Sequence, residues 1–437
     1  MERYQEGFRR LGQRLWLYGG SFGKWLAVSA VIGLAVGAVG AVFHNCVHCA
    51  AELWAEYPWL LWCLPLAGLA IVAFYRLMGV EGQGTNTIID AVHEDNRLSW
   101  RLPPAIFLGT VLTHLCGGSA GREGAALQIG GAIGQGAGRL LRLDQEDLRV
   151  ATLSGMAACF SALFGTPLTA VVFAIMGISV GVMYDAAMVP CLLSALGAYG
   201  VSTLLGVAPT RFAVDVPALA PVTFFQVSVL ALLCAMVSIL FCWVVHSTEH
   251  LMVRRIPNPW LRVAAGGVII IALTYLVGCT DYNGAGMEIV AAAIETGTAK
   301  PTAFLWNLLF TAVTLAAGFK GGEVVPSFFV GAAFGCVAGP LLGLPAGFGA
   351  ALGLVSVFCG VTNCAIASIF LSVELFGAEG LLYFALACGL SYFLSGYTGL
   401  YSSQTILYSK LKAKFVNAQV NSHAADDMSP PEELVLK

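Results

Sequence analysis

One acidic residue stands within a glycine-rich turn that interrupts an apolar stretch. The residues from Gly117 to Gly130 read Gly-Gly-Ser-Ala-Gly-Arg-Glu-Gly-Ala-Ala-Leu-Gln-Ile-Gly, and Glu123 is the only acid among them. The glycines predict a break, after which a helix begins near Gly121. The first N–H groups of such a helix have no intrahelical acceptor, and its N-terminus carries about half a positive charge. In an apolar environment such an end binds anions, so Gly121, Arg122 and Gly124 are candidate anion-binding residues.

The carboxylate of Glu123 can compete with an anion for that helix end. A charged side chain inside a membrane costs about 2.5–3.5 kcal/mol on insertion scales, and for that reason it marks a functional site by default. An ionised carboxylate would occupy the anion position, and a protonated one would leave it. This behaviour combines a gate and a proton carrier in one group. The alternative is that Glu123 caps the helix and pairs with Arg122.

Two further turns predict helix ends of the same kind. Gly321 and Gly322 precede Glu323, and residues 82–87, Gly-Gln-Gly-Thr-Asn-Thr, precede another short helix. Three helix N-termini can surround one small anion with neutral donors, whereas positive side chains would hold it too tightly for turnover. Glu323 could gate and transfer protons as Glu123 does. The alternative for Glu323 is a buried structural carboxylate at a helix end.

A serine in the first turn suggests a different chemistry. Gly117-x-Ser119-x-Gly121 fits the turn around a serine nucleophile, and His114 or His246 could act as the base. That motif needs a strand before the turn and a helix after it, and here an apolar helical segment precedes it. An intramembrane serine protease is therefore kept as the remote alternative from another functional class.

A short run of histidines and cysteines has side chains that bind metals. His44, Cys46, His48 and Cys49 lie close together in the sequence, at the end of an apolar segment and without a second cluster. Structural metal sites need four such ligands with suitable spacing, so packing at a membrane interface is the favoured interpretation. No metal site, cofactor or catalytic residue is predicted.

The composition predicts the elements that hold these turns. Of 437 residues, 58% are apolar and 11% are charged, and the mean hydropathy is +0.81. Soluble domains carry roughly 25% charged residues, so a secreted, cytosolic or disordered protein is excluded. A net charge of −3 also excludes a nucleic-acid binder. Because the apolar runs are continuous, they predict helices spanning a lipid bilayer and not barrel strands. The expected fold is an all-α polytopic membrane protein.

The two halves of the chain repeat each other. At a shift of 201 residues, 117–138 aligns with 318–339, with seven identities at glycine or alanine. Each block follows an apolar segment, 102–116 or 301–317. In transporters, paired broken helices of this kind meet at a midplane binding site. The pattern predicts an amphipathic segment at 1–24, repeats at 25–208 and 221–412, a linker at 209–220, and a short tail at 413–437 with too few residues for a regulatory domain.

Three motifs resemble those of the CLC family of chloride channels and transporters. They are Gly121-Arg-Glu-Gly124, the Gly-x-Gly at 82–84 and Gly321-Gly-Glu-Val-Val-Pro326. The resemblance covers about residues 20–412 and implies about eighteen helices in two inverted-topology repeats. It also implies a homodimer with one anion pore per subunit, in a bacterial inner membrane with both termini cytoplasmic. Basic residues near both ends agree with the positive-inside rule: Arg3, Arg9, Arg10, Arg14, Lys410, Lys412 and Lys414.

The resemblance assigns roles by position. Glu123 matches the gating glutamate of the family, and Tyr401 matches the tyrosine whose hydroxyl faces the central anion. Gln83 stands where the family has a serine, and Asn86 where it has a proline. The anion-binding residues implied by the motifs, with the turns described above, are Gln83, Gly84, Thr85, Asn86, Gly121, Arg122, Gly124, Gly322, Val324, Val325 and Tyr401.

The departures from the family pattern resemble its fluoride-exporting clade. Glu323 precedes Val324, which replaces a phenylalanine, and the inner proton-relay glutamate of the chloride antiporters is absent near Gly177. In that clade the second glutamate is associated with proton coupling, although methionine is common at the position of Gln83. Fluoride is small and strongly hydrated, so it needs close, dense donors. The sequence therefore predicts a fluoride/proton antiporter, with a chloride/proton antiporter or a chloride channel as alternatives.

Overall fold

Sixteen α-helices and three short strands make up the regular structure of the described residues. The computed structural model describes residues 2–94, 96–410 and 414–421, except for the side chains of the first 17 residues. The first eight helices are α1 Glu2–Glu56, α2 Leu64–Met78, α3 Thr85–His93, α4 Leu102–Leu115, α5 Glu123–Leu140, α6 Gln145–Phe164, α7 Pro167–Met176 and α8 Met188–Leu204. The others are α9 Pro221–Arg255, α10 Pro259–Val277, α11 Met287–Ala291, α12 Ala303–Ala317, α13 Val324–Leu341, α14 Ala346–Thr362, α15 Ala365–Phe376 and α16 Leu381–Leu394. Shorter helical turns cover Pro58–Cys63, Asp185–Ala187 and Ala292–Thr296.

The internal repeat predicted from the sequence is visible in the helix boundaries. α5 and α13 both begin and both end 201 residues apart, and α4 and α12 begin at the same interval. α6 and α14 also begin 201 residues apart. The segment 207–220, between α8 and α9, contains no helix or strand and includes the predicted linker.

Prolines and glycines set where several of these helices begin and end. Proline opens α7, α9 and α10, where its missing N–H would have no helical acceptor. Left-handed glycines end α6 and α12, at Gly165 and Gly318, because glycine adopts this conformation without a steric cost. Gly318 therefore ends the helix immediately before the second glycine-rich turn.

Only some of the helices are long and apolar enough to cross a membrane. Within the described residues, seven helical segments are long and apolar enough to do so. Other apolar helices are shorter: α4 has 14 residues, which corresponds to about 21 Å at 1.5 Å per residue, less than the roughly 30 Å of a hydrocarbon core. A helix of that length is too short to cross the hydrocarbon core on its own.

The helices that follow the glycine-rich turns pack closely on their neighbours. A Cβ atom at Gly130 of α5 would overlap the carbonyl of Gly155 on α6. In the other half, a Cβ atom at Gly331 of α13 would overlap the carbonyl of Gly353 on α14. Because close helix packing in membranes depends on small residues, these glycines fix α5 and α13 and thereby the turns at their N-termini.

Regular secondary structure extends into both predicted terminal segments. The predicted boundary between residues 24 and 25 lies inside α1, which is one continuous helix. Part of the predicted tail forms a strand, β3 Phe415–Gln419, which pairs antiparallel with β2 Thr405–Tyr408, and β2 pairs parallel with β1 Ser179–Val180. The described part of that tail is thus folded onto the membrane domain. Lys412, residues 422–437 and the side chains of Arg3, Arg9, Arg10 and Arg14 lie outside the described residues.

Candidate functional site

The two glycine-rich turns meet each other across the internal repeat. Gly121 donates its N–H to the carbonyl of Gly322 at 2.7 Å, and Gly322 donates to the carbonyl of Gly121 at 2.8 Å. The two residues form an antiparallel bridge and are 201 positions apart, so each is the counterpart of the other. A local two-fold axis therefore passes through this bridge, as expected for inverted repeats.

A threonine from each half holds the turn of the other half. The N–H of Ser119 donates to Thr314 Oγ1 at 3.2 Å, and the N–H of Lys320 donates to Thr113 Oγ1 at 3.2 Å. Ser119 and Lys320 are counterparts in the repeat, as are Thr113 and Thr314. These threonines were missed by sequence reasoning, because only the contact across the halves shows what they bind.

A third helix N-terminus joins the other two. α3 begins at Thr85, whose hydroxyl accepts a hydrogen bond from Gln128 Nε2 of α5 at 3.2 Å. A Cβ atom placed on Gly124 would lie 3.4 Å from Thr85 Oγ1 and 3.0 Å from Gly322 Cα. The starts of α3, α5 and α13 are therefore about one side chain apart, as the sequence predicts.

Glu123 is buried at this meeting point. Its side chain is fully enclosed, and Oε2 accepts the N–H of Arg122 at 2.9 Å. The start of α13 lies beside the carboxylate, because a Cβ atom on Gly121 would contact Glu123 Oε2 and would stand 3.1 Å from Val325 Cβ. Oε1 lies 3.7 Å from Arg122 Nε and has no hydrogen-bond partner among the described residues. The carboxylate thus lies where the starts of α5 and α13 meet, and it accepts one N–H there.

Three predicted glycine donors have a different role. The N–H groups of Gly121 and Gly322 are used in the bridge, and the N–H of Gly84 donates to Thr87 Oγ1 at 3.1 Å. Because each N–H already has an acceptor, these glycines shape the turns instead of binding an anion directly. The N–H that bonds to the carboxylate comes from Arg122, the residue just after the bridge.

Glu323 is not the structural counterpart of Glu123. At the repeat interval of 201 residues, Glu323 corresponds to Arg122, and Glu123 corresponds to Val324. Glu323 lies just before α13 and is partly exposed, unlike Glu123. Its carboxylate interacts electrostatically with Glu249 on α9 and with Tyr401.

Tyr401 and Gln83 present buried polar atoms without partners. Tyr401 is 3% exposed and interacts electrostatically with both Glu323 and Glu123. Within the described part of the chain, Tyr401 Oη and Gln83 Oε1 form no hydrogen bond. Gln128, which sequence reasoning missed, likewise has a buried, unpartnered Oε1. A polar residue inside the small apolar residues of α5 was the available signal for it.

Asn86, Val324 and Val325 contribute to the site through where they lie in it. Asn86 Nδ2 donates to Ser402 Oγ at 3.0 Å, and Asn86 Oδ1 accepts the N–H of Ser403 at 3.3 Å. The predicted anion donor Asn86 therefore ties the start of α3 to the loop that carries Tyr401. Val324 and Val325 are buried in the first turn of α13, where they present apolar side chains.

The residues of the protease alternative are bonded elsewhere. Ser119 Oγ pairs with Thr311 Oγ1 at 3.0 Å. His114 Nδ1 lies 2.9 Å from the carbonyl of Thr110, and His246 Nε2 lies 2.9 Å from that of Gly399. This arrangement does not place either histidine as a base for the serine.

The histidine–cysteine run lies on α1. The rings of His44 and His48 are 6.3 Å apart because they are one helical turn apart, and His48 pairs with Glu52 at 3.5 Å. Cys46 points to another side of the helix. Among the described residues, no group of three or more His, Cys, Asp or Glu is arranged to hold a metal ion.

Comparison with known proteins identifies the family. Residues 67–396 match the family described as "Voltage gated chloride channel". The chain belongs to the CLC family. This CLC protein is 36% identical over 400 residues to the "Chloride/fluoride channel protein" of Pseudomonas syringae pv. tomato, covering 89% of this chain and 87% of the relative. It is 25% identical over 390 residues to the "H(+)/Cl(-) exchange transporter ClcA" of Vibrio cholerae, covering 80% and 81%.

Solved structures show the same fold. A CLC-type fluoride/proton antiporter aligns with a TM-score of 0.85 at 32% identity, covering 88% of this chain and 98% of that structure. A slow cyanobacterial Cl⁻/H⁺ antiporter aligns with a TM-score of 0.72 at 19% identity, over 85% and 94%. The CLC protein is thus an integral membrane protein with the CLC fold, in a family of transporters and channels and not of enzymes.

Proposed function

We propose that this CLC protein exchanges fluoride for protons across the membrane, in the direction of fluoride export. The observation that carries the proposal is Glu123, a buried carboxylate that accepts the N–H of Arg122 where the starts of α5 and α13 meet. That position suits any small anion. Because the side chain and an anion exclude each other there, binding of the anion requires Glu123 to leave, and protonation weakens its bonds.

In the proposed cycle, Glu123 and Glu323 each take up the proton once. A proton from the outer side binds the Glu123 carboxylate, which leaves the helix ends, and an anion takes the vacated position. The proton then passes to Glu323, whose carboxylate is partly exposed and electrostatically linked to Tyr401 and Glu249. Return of the ionised Glu123 expels the anion. One proton and one negative charge thus move in opposite directions through the same site.

The polar residues around the site favour fluoride over chloride. Gln83 and Gln128 each have a buried amide oxygen without a partner, and a half-turn of the Gln83 amide directs its NH2 group into the same space. Together with the hydroxyl of Tyr401, these groups supply several close donors for a strongly hydrated anion. The similarity to a fluoride/proton antiporter at 32% identity supports this choice.

Chloride/proton exchange is the second candidate. It is favoured by the 25% identity to a chloride/proton exchange transporter, and the 36% identical relative is named for both anions. We also propose a homodimer with one pore per subunit, both termini in the cytoplasm of a bacterium, and repeats at 25–208 and 221–412. The inversion of the repeats about the Gly121–Gly322 bridge supports this division.

Flux from liposomes tests the proposal. Purified protein is reconstituted, an outward gradient of fluoride or of chloride is imposed, and the anion and the pH are recorded with electrodes. We expect rapid fluoride efflux with proton uptake into the liposomes, and slower chloride efflux. Fluoride efflux without any pH change would indicate a channel and not an antiporter. Faster chloride efflux with proton uptake would favour chloride/proton exchange, the second candidate.

A further inference from the structure

Tyr401 lies in a loop that is held through its backbone. Residues 395–404 join α16 to β2, and the Tyr401 side chain within them is 3% exposed. Its Oη forms no hydrogen bond with any described residue. The neighbouring Leu400 donates its N–H to the carbonyl of Val361 on α14 at 2.9 Å. Because no bond at its tip holds the hydroxyl among these residues, its position depends on where the loop is anchored.

Gln404 ends this loop and anchors it on two sides. Its side chain is fully buried. Nε2 donates to the carbonyl of Gly177 at 3.0 Å and to the carbonyl of Thr362 at 3.1 Å. The backbone N–H of Gln404 donates to the carbonyl of Tyr401 at 3.1 Å. One residue therefore connects Tyr401 with the end of α7 and with the end of α14.

The two carbonyls belong to helix C-termini in opposite halves of the chain. Gly177 follows the last residue of α7, and Thr362 is the last residue of α14. The last carbonyls of a helix have no intrahelical donor, and this end carries a partial negative charge. The amide NH2 of Gln404 supplies one donor to each carbonyl without introducing a charge. The glutamine thus fixes the loop against both halves at once.

A second amide holds the orientation of Gln404. Asn363 Nδ2 donates to Gln404 Oε1 at 3.1 Å and to the carbonyl of Thr398 at 3.1 Å. Asn363 Oδ1 in turn accepts from Lys410 Nζ. Val420, just after β3, donates its N–H to the carbonyl of Gln404 at 2.9 Å. Every polar group of Gln404 is thus bonded, and a buried network with all its members satisfied is rigid.

We propose that Gln404 is a positioning residue, which sets where the Tyr401 hydroxyl stands relative to the transported anion. The inference rests on the proposed function, in which that hydroxyl is one of the donors to the anion. Hydrogen bonds weaken steeply as their geometry departs from linear, and a small anion needs closer donors than a large one. Gln404 therefore favours the binding of fluoride over that of chloride.

A double-mutant cycle in liposomes tests whether Gln404 acts through Tyr401. Gln404→Met keeps the length of the side chain but removes its donors and its acceptor, whereas Tyr401→Phe removes only the hydroxyl. Gln404→Met should raise the KM for fluoride roughly two- to tenfold, as expected for about one neutral hydrogen bond, and should change the KM for chloride and the maximal rate by less than about twofold. In the Tyr401→Phe background it should change the KM no further, because residues that act through one contact are not additive.

A second buried glutamine provides the matched control. Gln135 accepts the N–H of Leu98 at 2.9 Å and donates to the carbonyl of Asn96 at 3.1 Å, near the end of α5 away from Glu123. Gln135→Met should leave the KM for fluoride unchanged. Equal effects of Gln404→Met with and without the Tyr401 hydroxyl, or a lower maximal rate at an unchanged KM, would overturn the positioning role.

Fluorine NMR follows the position of Tyr401 without any transport. With Tyr401 replaced by 3-fluorotyrosine, Gln404→Met should shift or broaden the fluorine signal, and an unchanged signal overturns the positioning role. If Gln404→Met does not fold, Asn363→Gly takes its place, because glycine keeps the left-handed φ of 59° at the end of α14 and removes the amide that holds Gln404. An unchanged signal in that variant then overturns the role. A changed signal in a protein whose wild type exchanges no fluoride for protons would refute the proposed function and leave Gln404 as the residue that places Tyr401.

Discussion

Glu123→Gln isolates the charge of the proposed gate. The amide keeps the size of the side chain but cannot be ionised, so it resembles the protonated form. In the wild type, the carboxylate accepts the N–H of Arg122 at 2.9 Å and lies 3.7 Å from Arg122 Nε. Hydrogen bonds to charged groups contribute about 1.5–3 kcal/mol, and neutral ones about 0.5–1.5 kcal/mol. The amide therefore stabilises the closed position by about 1–1.5 kcal/mol less than the carboxylate does, for the bond to Arg122 alone.

That loss has two measurable consequences. At about 1.4 kcal/mol for each factor of ten, competition by the side chain weakens roughly 5- to 12-fold, so the anion binds more tightly at low concentration. Proton uptake driven by a fluoride gradient should fall to the level of empty liposomes, because an amide carries no proton. The assay records pH and fluoride together. Glu146→Gln is the matched control, since Glu146 also stands in the first turn of a helix but is exposed.

Passive fluoride flux in Glu123→Gln separates two mechanisms. Survival of the flux would indicate a simple gate that stays open. Loss of the flux would indicate an obligatory cycle in which the carboxylate must visit several positions. Both outcomes are compatible with a coupled transporter. Fluoride-driven proton pumping at the wild-type rate in a folded Glu123→Gln dimer would refute the reasoning and reduce Glu123 to a helix-capping residue.

Three other substitutions test the neighbouring elements. Glu323→Gln should reduce the number of protons moved per fluoride, measured by paired electrodes, while size-exclusion chromatography still shows a dimer; unchanged coupling would exclude a relay at this position. Gln83→Ser shortens a donor and should raise chloride flux relative to fluoride at least twofold, and an unchanged ratio would remove Gln83 from the filter. Gly130→Ala should destabilise the protein by about 1–3 kcal/mol through overpacking against Gly155. Gly136→Ala on the same helix meets open space and should keep or raise the melting temperature, because alanine favours a helix over glycine.

The sequence was sufficient to predict the repeat and the meeting of the turns. The shift of 201 residues found in the glycine pattern is also the interval between the helix boundaries of α5 and α13. This agreement has a physical cause, because glycines are required both where a helix breaks and where two helices pack closely. A duplicated arrangement of glycines therefore records a duplicated arrangement of helices.

The sequence did not predict which residues far apart in the chain pair with each other. The sequence predicts that Gly121 and Gly322 bind an anion, but the N–H of each donates to the carbonyl of the other across the repeat. β3 has only five residues, and its partner β2 is fixed by the parallel pairing with β1, more than two hundred residues earlier in the chain. Local residue patterns carry no information about such partners.

The offset between the two glutamates explains how one site could couple two ions. The repeat places Val324 opposite Glu123 and Glu323 opposite Arg122, so the two carboxylates occupy unlike positions around one axis. Glu123 is fully enclosed and bonded to helix ends, whereas Glu323 is partly exposed and interacts with Glu249. Two equivalent carboxylates would open and close together and let the anion through. Unequal ones can hold a proton in turn, because each becomes favourable for the proton at a different stage of anion binding.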